Sequence, residues 1–127
     1  MSSSSDYERM GGHAAVVALV DQFYTTMDTD PVAAEIRALH DDDLTFDKHK
    51  LTAFLSGWLG GPQLYWQEYG HPRLRKRHMH LPIDDNAARQ WLHCMRTALE
   101  RQVDDAALRE ALFTRFTQVA HHMRNTR

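Results

Sequence analysis

Cysteine is almost absent from this sequence: Cys94 stands alone among 127 residues, so no disulfide can close within the chain. A single thiol fits a reducing compartment, and a cytoplasmic location is the expectation. Long apolar runs are absent too. None approaches the roughly 18 residues of a membrane-spanning helix, so no membrane association is expected. Met1 and the four serines after it lack the apolar centre of a secretory signal. Residues 1–11 read as a disordered tail ahead of one domain over residues 12–127. Neither sign of charge dominates: 15 Lys and Arg face 17 Asp and Glu, a net −2, which argues against general nucleic-acid binding. No GxGxxG or Walker-type loop supports a nucleotide, and no HExxH or Cys/His spacing supports zinc. No nucleophile stands out, and Cys94, between Trp91 and Ala98 on a helical pattern, reads as a small core residue.

What remains is helical periodicity, and no strand pattern competes with it. From about Gly12 to Met27, Val16, Leu19, Val20, Phe23, Tyr24 and Met27 recur at steps of three and four. Tyr24 falls on the inward side, where a phenol needs either a backbone carbonyl or a bound ligand as partner. Asp28 to Pro31 read as a turn, and residues 32–39 as a weak helix followed by His40. Thr45 is a plausible N-cap for a helix carrying Leu51, Phe54, Leu55, Trp58 and Leu59, which Gly60-Gly61-Pro62 stops. Gln63 to Tyr69 reads as an aromatic connector. Asp84 or Asp85 then opens a helix to about Gln102 with Ala88, Trp91, Met95, Ala98 and Leu99 inward. Asp104 or Asp105 opens the last, to about Arg124, with Leu108, Leu112, Phe116, Val119 and Met123 inward. The expectation is all-α, five or so helices around one core.

Histidine is plentiful, with nine residues, and three of them sit in Gly70-His71-Pro72-Arg73-Leu74-Arg75-Lys76-Arg77-His78-Met79-His80-Leu81-Pro82. As a short helix opened by Pro72, this stretch puts Leu74, His78 and Leu81 on one face and Arg73, Arg77 and His80 on another. His78 and His80 are too close in sequence to be two ligands of one tetrahedral site on a regular helix. A neutral imidazole among apolar residues can ligate an iron, and guanidinium groups beside it can bind carboxylates of the same ligand. Nearby cations also resist a second charge on the ring and keep it neutral.

Taken together, four features resemble the truncated haemoglobins, most closely their second group. These are Phe23-Tyr24 on the first long helix, Phe54-Leu55-Ser56-Gly57-Trp58-Leu59-Gly60-Gly61-Pro62, then Tyr69-Gly70-His71-Pro72-Arg73-Leu74-Arg75-Lys76-Arg77-His78 with Leu81-Pro82-Ile83, and finally Trp91. Their order and spacing match from about Gly12 to Met123. The resemblance implies a truncated globin, a two-on-two helical sandwich around one haem b. By position, His78 looks like the proximal iron ligand and Arg77 like the propionate partner. Tyr24 looks like the distal tyrosine, Trp91 like the indole that defines the second group, and His40 falls beside the distal pocket. Leu51, Phe54, Trp58, Leu74 and Met95 fall as apolar contacts of the haem or its surroundings. One departure stands out: Asp47 falls where the family usually has a small residue at the distal gate.

The resemblance implies O2, CO, NO and similar small molecules as ligands, with a reductase as partner if there is turnover, in a monomer or homodimer. Several hydrogen-bond donors around the ligand would retain O2, which argues against simple oxygen transport. Conversion of NO to nitrate and reduction of peroxide are then the candidate reactions, with Tyr24, Trp91 and His40 as the active side chains. The alternatives are a storage or sensing module without turnover, a six-coordinate electron-transfer haem closed by His40, and a haem-free helical interaction domain.

Overall fold

The computed structural model describes residues 5–125, with every side chain among them except that of Arg75. It is all-helical over this range, with no strand. Helix α1 spans Asp6–Met10, α2 His13–Thr29, α3 Ala34–Ala38, α4 Thr45–Trp58, α5 Leu64–Tyr69, α6 Leu74–Arg77, α7 Asp85–Gln102 and α8 Ala106–Met123. A 3-10 turn, Pro31–Ala33, joins α2 to α3.

Two pairs of long helices make the frame. α2 packs on α4, α7 packs on α8, and the pairs meet through α2 against α7. The apolar stripes legible in the sequence meet there: Val16, Leu19, Phe23, Met95, Leu99, Leu112 and Phe116 are at most 1% exposed. Asp84 and Asp105 cap α7 and α8, accepting from the N–H groups of Ala87 and Leu108. Among the described residues, no helix is long and apolar enough to cross a membrane.

Four local expectations are corrected. Of the expected tail, residues 1–4 lie outside the described residues, but Asp6–Met10 is helical. Ser5 caps it by accepting from the Glu8 N–H, the Tyr7 N–H donates to the Leu59 carbonyl, and Asp6 pairs with Arg115 at 2.8 Å. Thr45 begins α4 rather than capping it, because Asp43 accepts from the Thr45 N–H and forms the turn earlier. The aromatic connector is helix α5 over six of its residues, and Tyr65 is buried. In the basic stretch the helix is only Leu74–Arg77: Pro72 lies outside it, and Arg73 sits at φ 43°, in the left-handed region.

The Gly60-Gly61-Pro62 stop is built as its composition predicts. Gly60 has φ 96°, and a Cβ on Gly61 would come within 2.5 Å of the Tyr7 ring. The buried Ser56 donates to the Pro62 carbonyl at 2.7 Å, tying the turn to the end of α4.

A cavity shared by two kinds of wall

Between the helices lies a cavity of about 580 Å³. Nine of the ten site residues expected from the sequence line it: Tyr24, His40, Leu51, Phe54, Trp58, Leu74, Arg77, His78 and Trp91. The tenth, Met95, does not; it is fully buried in the core one turn beyond Trp91. α4 supplies a continuous stripe of Asp47, Lys50, Leu51, Phe54, Leu55 and Trp58, which follows helical spacing. α8 adds Phe116, Val119, Ala120 and Met123, and this wall was legible only as core.

His78 is half-buried, and its Nδ1 lies 2.7 Å from the Leu74 carbonyl. A carbonyl only accepts, so Nδ1 carries the proton and Nε2 keeps its lone pair. Burial depresses the pKa of this imidazole below its ordinary 6.5, and the charges of His80, His40 and Lys50 add to that. Neighbouring cations do favour the neutral ring, as expected, but burial outweighs them.

Arg77 lines the cavity with its guanidinium over Tyr65, 5.6 Å from the ring centroid. It also donates from Nη2 to the carbonyls of Tyr69 and His71, at 3.2 and 3.1 Å. So Arg77 and His80 face the cavity along with His78, not a separate face as a regular helix would have them. Lys50 is a second cation on the lining, its ammonium 4.9 and 5.5 Å from the Phe46 and Tyr69 ring centroids. Sequence reading missed Lys50; its place one residue before Leu51 on the α4 stripe was the available signal.

Tyr24 is 5% exposed, and its hydroxyl takes no hydrogen bond from the described residues. Burial, then the charge of Asp47, pushes its pKa well above the ordinary 10.0, so the phenol stays a donor. The Trp91 indole N–H is likewise without a partner among the described residues. Its ring packs on Phe23 and Phe116, with centroids 5.3 and 5.8 Å away. His40 stands edge-on to Tyr24, 5.9 Å between centroids, and its Nδ1 lies 2.9 Å from the Ile36 carbonyl. By the same logic as at His78, the neutral His40 ring keeps a lone pair on Nε2. It therefore adds an acceptor to the site rather than a third donor beside Tyr24 and Trp91. Cys94 is fully buried in the core and off the lining, its thiol pushed up to about 12 by burial.

The combination suits one class of guest. Among the described residues the walls are mostly apolar, an imidazole lone pair is available, Arg77 and Lys50 line the same space, and a phenol and an indole lack partners. That set fits a flat apolar group carrying a metal and carboxylates, in a volume usual for bound ligands of about 300–1,000 Å³.

Comparison with known proteins gives a consistent result. The bacterial-like globin family matches residues 5–125. The group 2 truncated hemoglobin YjbI of Bacillus subtilis is 38% identical over 124 residues, covering 98% of this chain and 91% of that protein. A cold-adapted truncated hemoglobin from the Antarctic marine bacterium Pseudoalteromonas haloplanktis TAC125 superposes with TM-score 0.96 at 42% identity, covering 98% of this chain and 100% of the other. The group II 2-on-2 hemoglobin of the plant pathogen Agrobacterium tumefaciens gives TM-score 0.97 at 40% identity, covering 100% and 98%.

Proposed function

The chain belongs to the bacterial-like globins, with the group II truncated haemoglobins, and from that premise we propose that its cavity holds haem b and binds O2 and other diatomic ligands. The observation that carries this is the His78 imidazole, fixed through Nδ1 and left with a free Nε2 in the cavity. Bound haem supplies an iron with an open coordination position, able to take a small ligand and to exchange electrons.

The residues divide the remaining work. His78 offers its lone pair, and the Leu74 carbonyl makes that nitrogen more electron-rich by accepting from the other side of the ring. Arg77 and Lys50 would pair with the carboxylates of bound haem, while Leu51, Phe54, Leu74 and Trp58 would exclude water. Tyr24 and Trp91 each present a donor to a ligand that carries partial negative charge. Two such bonds, each about 1–3 kcal/mol in a dry site, slow release of O2 about a hundredfold or more. Strong retention fits turnover of O2 with NO, or of peroxide, better than delivery. A reductase then supplies the electrons.

A second reading rests on His40, whose Nδ1 contact to the carbonyl four residues back repeats that of His78. With haem bound, its free Nε2 would be available as a second iron ligand, an arrangement that would suit electron transfer. Absorption spectra of the haem-loaded protein, ferric and ferrous, with and without CO, separate these readings. A Soret band that His78→Ala weakens or shifts, with ready CO binding by a five-coordinate ferrous form, is the expected result. A six-coordinate low-spin ferrous form favours the second reading. Failure to take up haem overturns both and leaves a helical interaction domain.

A further inference from the structure

Asp47 is the one residue of the α4 cavity stripe with a formal negative charge. It precedes Lys50 and Leu51 by three and four positions, so helical spacing aligns it with residues that also line the cavity. It is half-buried, and no described residue gives it an ion pair or a hydrogen bond. Acids on α2 and α5, the helices packed on α4, are paired: Asp21 with Lys48 at 3.6 Å, Asp28 with Arg37 at 2.9 Å, Glu68 with His49 at 2.8 Å. The cations that share its cavity are engaged elsewhere, Lys50 over the Phe46 and Tyr69 rings and Arg77 on two backbone carbonyls. Asp41, the other acid on the lining, carries the same sign. The charge of Asp47 reaches the distal donors, since it adds to the elevation of the Tyr24 phenol.

We propose that Asp47 is a specificity residue of the ligand cavity: its unpaired carboxylate disfavours anionic ligands and leaves neutral ones unaffected. This rests on the haem reading above. An anion entering the cavity meets a fixed like charge with an apolar wall behind it, where Coulomb repulsion exceeds its value in bulk water. A ligand that stays neutral when bound, such as CO or imidazole, feels no net repulsion. Because Asp47 is half exposed, water and salt weaken the effect, and about tenfold on anion affinity is expected rather than several hundredfold.

The test uses haem-loaded protein with azide as the ferric anionic probe, imidazole as the ferric neutral probe and CO as the ferrous neutral probe. Asp47→Asn should bind azide about tenfold more tightly and keep imidazole and CO affinities within about twofold. Asp47→Glu, which restores the charge, should return azide affinity towards the wild-type value. Unchanged azide affinity in Asp47→Asn overturns the proposal, and so does an equal gain in Asp47→Glu, which would make shape rather than charge the cause. An independent readout is the salt dependence of azide affinity: added salt should tighten azide binding in the wild type and change it less in Asp47→Asn, and equal salt dependence overturns the proposal. Uptake of haem and CO by the wild type reports separately on the haem reading, so the two failures are distinguishable.

Discussion

Tyr24 and His78 line one cavity, yet the elements beneath them differ in kind. Tyr24, Phe23 and Trp91 are carried by α2 and α7, seventeen and eighteen residues long, which pack on each other through fully buried side chains. His78 follows α6, a four-residue helix that rests on α8 between exposed basic residues. The first wall is held by apolar burial. The second is held by polar ties to backbone. Asn125 donates from Nδ2 to the carbonyls of His78 and Leu81, at 3.2 and 2.9 Å, and its Oδ1 accepts from the Ile83 N–H at 2.9 Å. Arg77 adds its two carbonyl bonds from the other end. A wall built on the core is fixed before any guest arrives, whereas one built on a few hydrogen bonds can adjust to its guest. The donors that would discriminate ligands are thus the rigid part, and the imidazole that would anchor the cofactor is the compliant part.

The comparison breaks most sharply at Phe23. Its ring touches those of Tyr24 and Trp91, with centroids 5.0 and 5.3 Å away. Phe23→Ala should destabilise the whole protein by about 3–5 kcal/mol in urea unfolding, and an effect below about 1 kcal/mol would deny α2 its role as a rigid support. Asn125→Ala acts on the other wall. Losing these bonds costs about 1–3 kcal/mol, but the loss is local. Haem should transfer to a scavenging globin about tenfold faster, while the thermal midpoint shifts by only a few degrees. If the midpoint falls as far as in Phe23→Ala, the two walls are one cooperative unit.

The smallest effect concerns pH. The Tyr24 phenol has its pKa raised in the folded chain, while in the unfolded chain it ionises near its ordinary 10.0. The folded state then binds the proton that the unfolded state gives up, so this contribution is complete below pH 10 and is lost as pH rises beyond it. Tyr24→Phe should therefore show a shallower fall of the urea midpoint above pH 10 than the wild type. Parallel slopes would mean that the phenol is solvated, not enclosed in the rigid wall.

The same division governs how much the sequence discloses. The rigid wall writes its position into a 3.6-residue pattern, because burying a helix face demands apolar residues at fixed steps; α2, α4, α7 and α8 were legible to within a few residues. α5 was not, since Tyr65, Trp66 and Tyr69 have no strong helix preference and only tertiary packing decides their state. α1 carried a local signal, Ser5 followed by Glu8, which is a capping-box spacing, but five residues are too few to show a period. Of the ten site positions read from motif and periodicity, nine line the cavity and Met95 lies in the core behind it, because one helical stripe serves both core and cavity. The direction of the His40 proton was beyond sequence. It depends on the Ile36 carbonyl lying 2.9 Å away, a relation that only folded geometry creates.

The docking of α1 has a consequence in time. Asp6 closes on Arg115 across 109 positions, and Arg9 on Asp105 across 96. At roughly 5–20 residues per second, a ribosome needs about 5–20 seconds to add that length of chain. From about halfway through that interval, once Leu59 is made, the segment carrying Tyr7 can reach it, but its charged partners at the start of the last helix and within it do not yet exist. α1 therefore closes late in synthesis, and the nascent protein must carry an open end until Arg115 of α8 has been made.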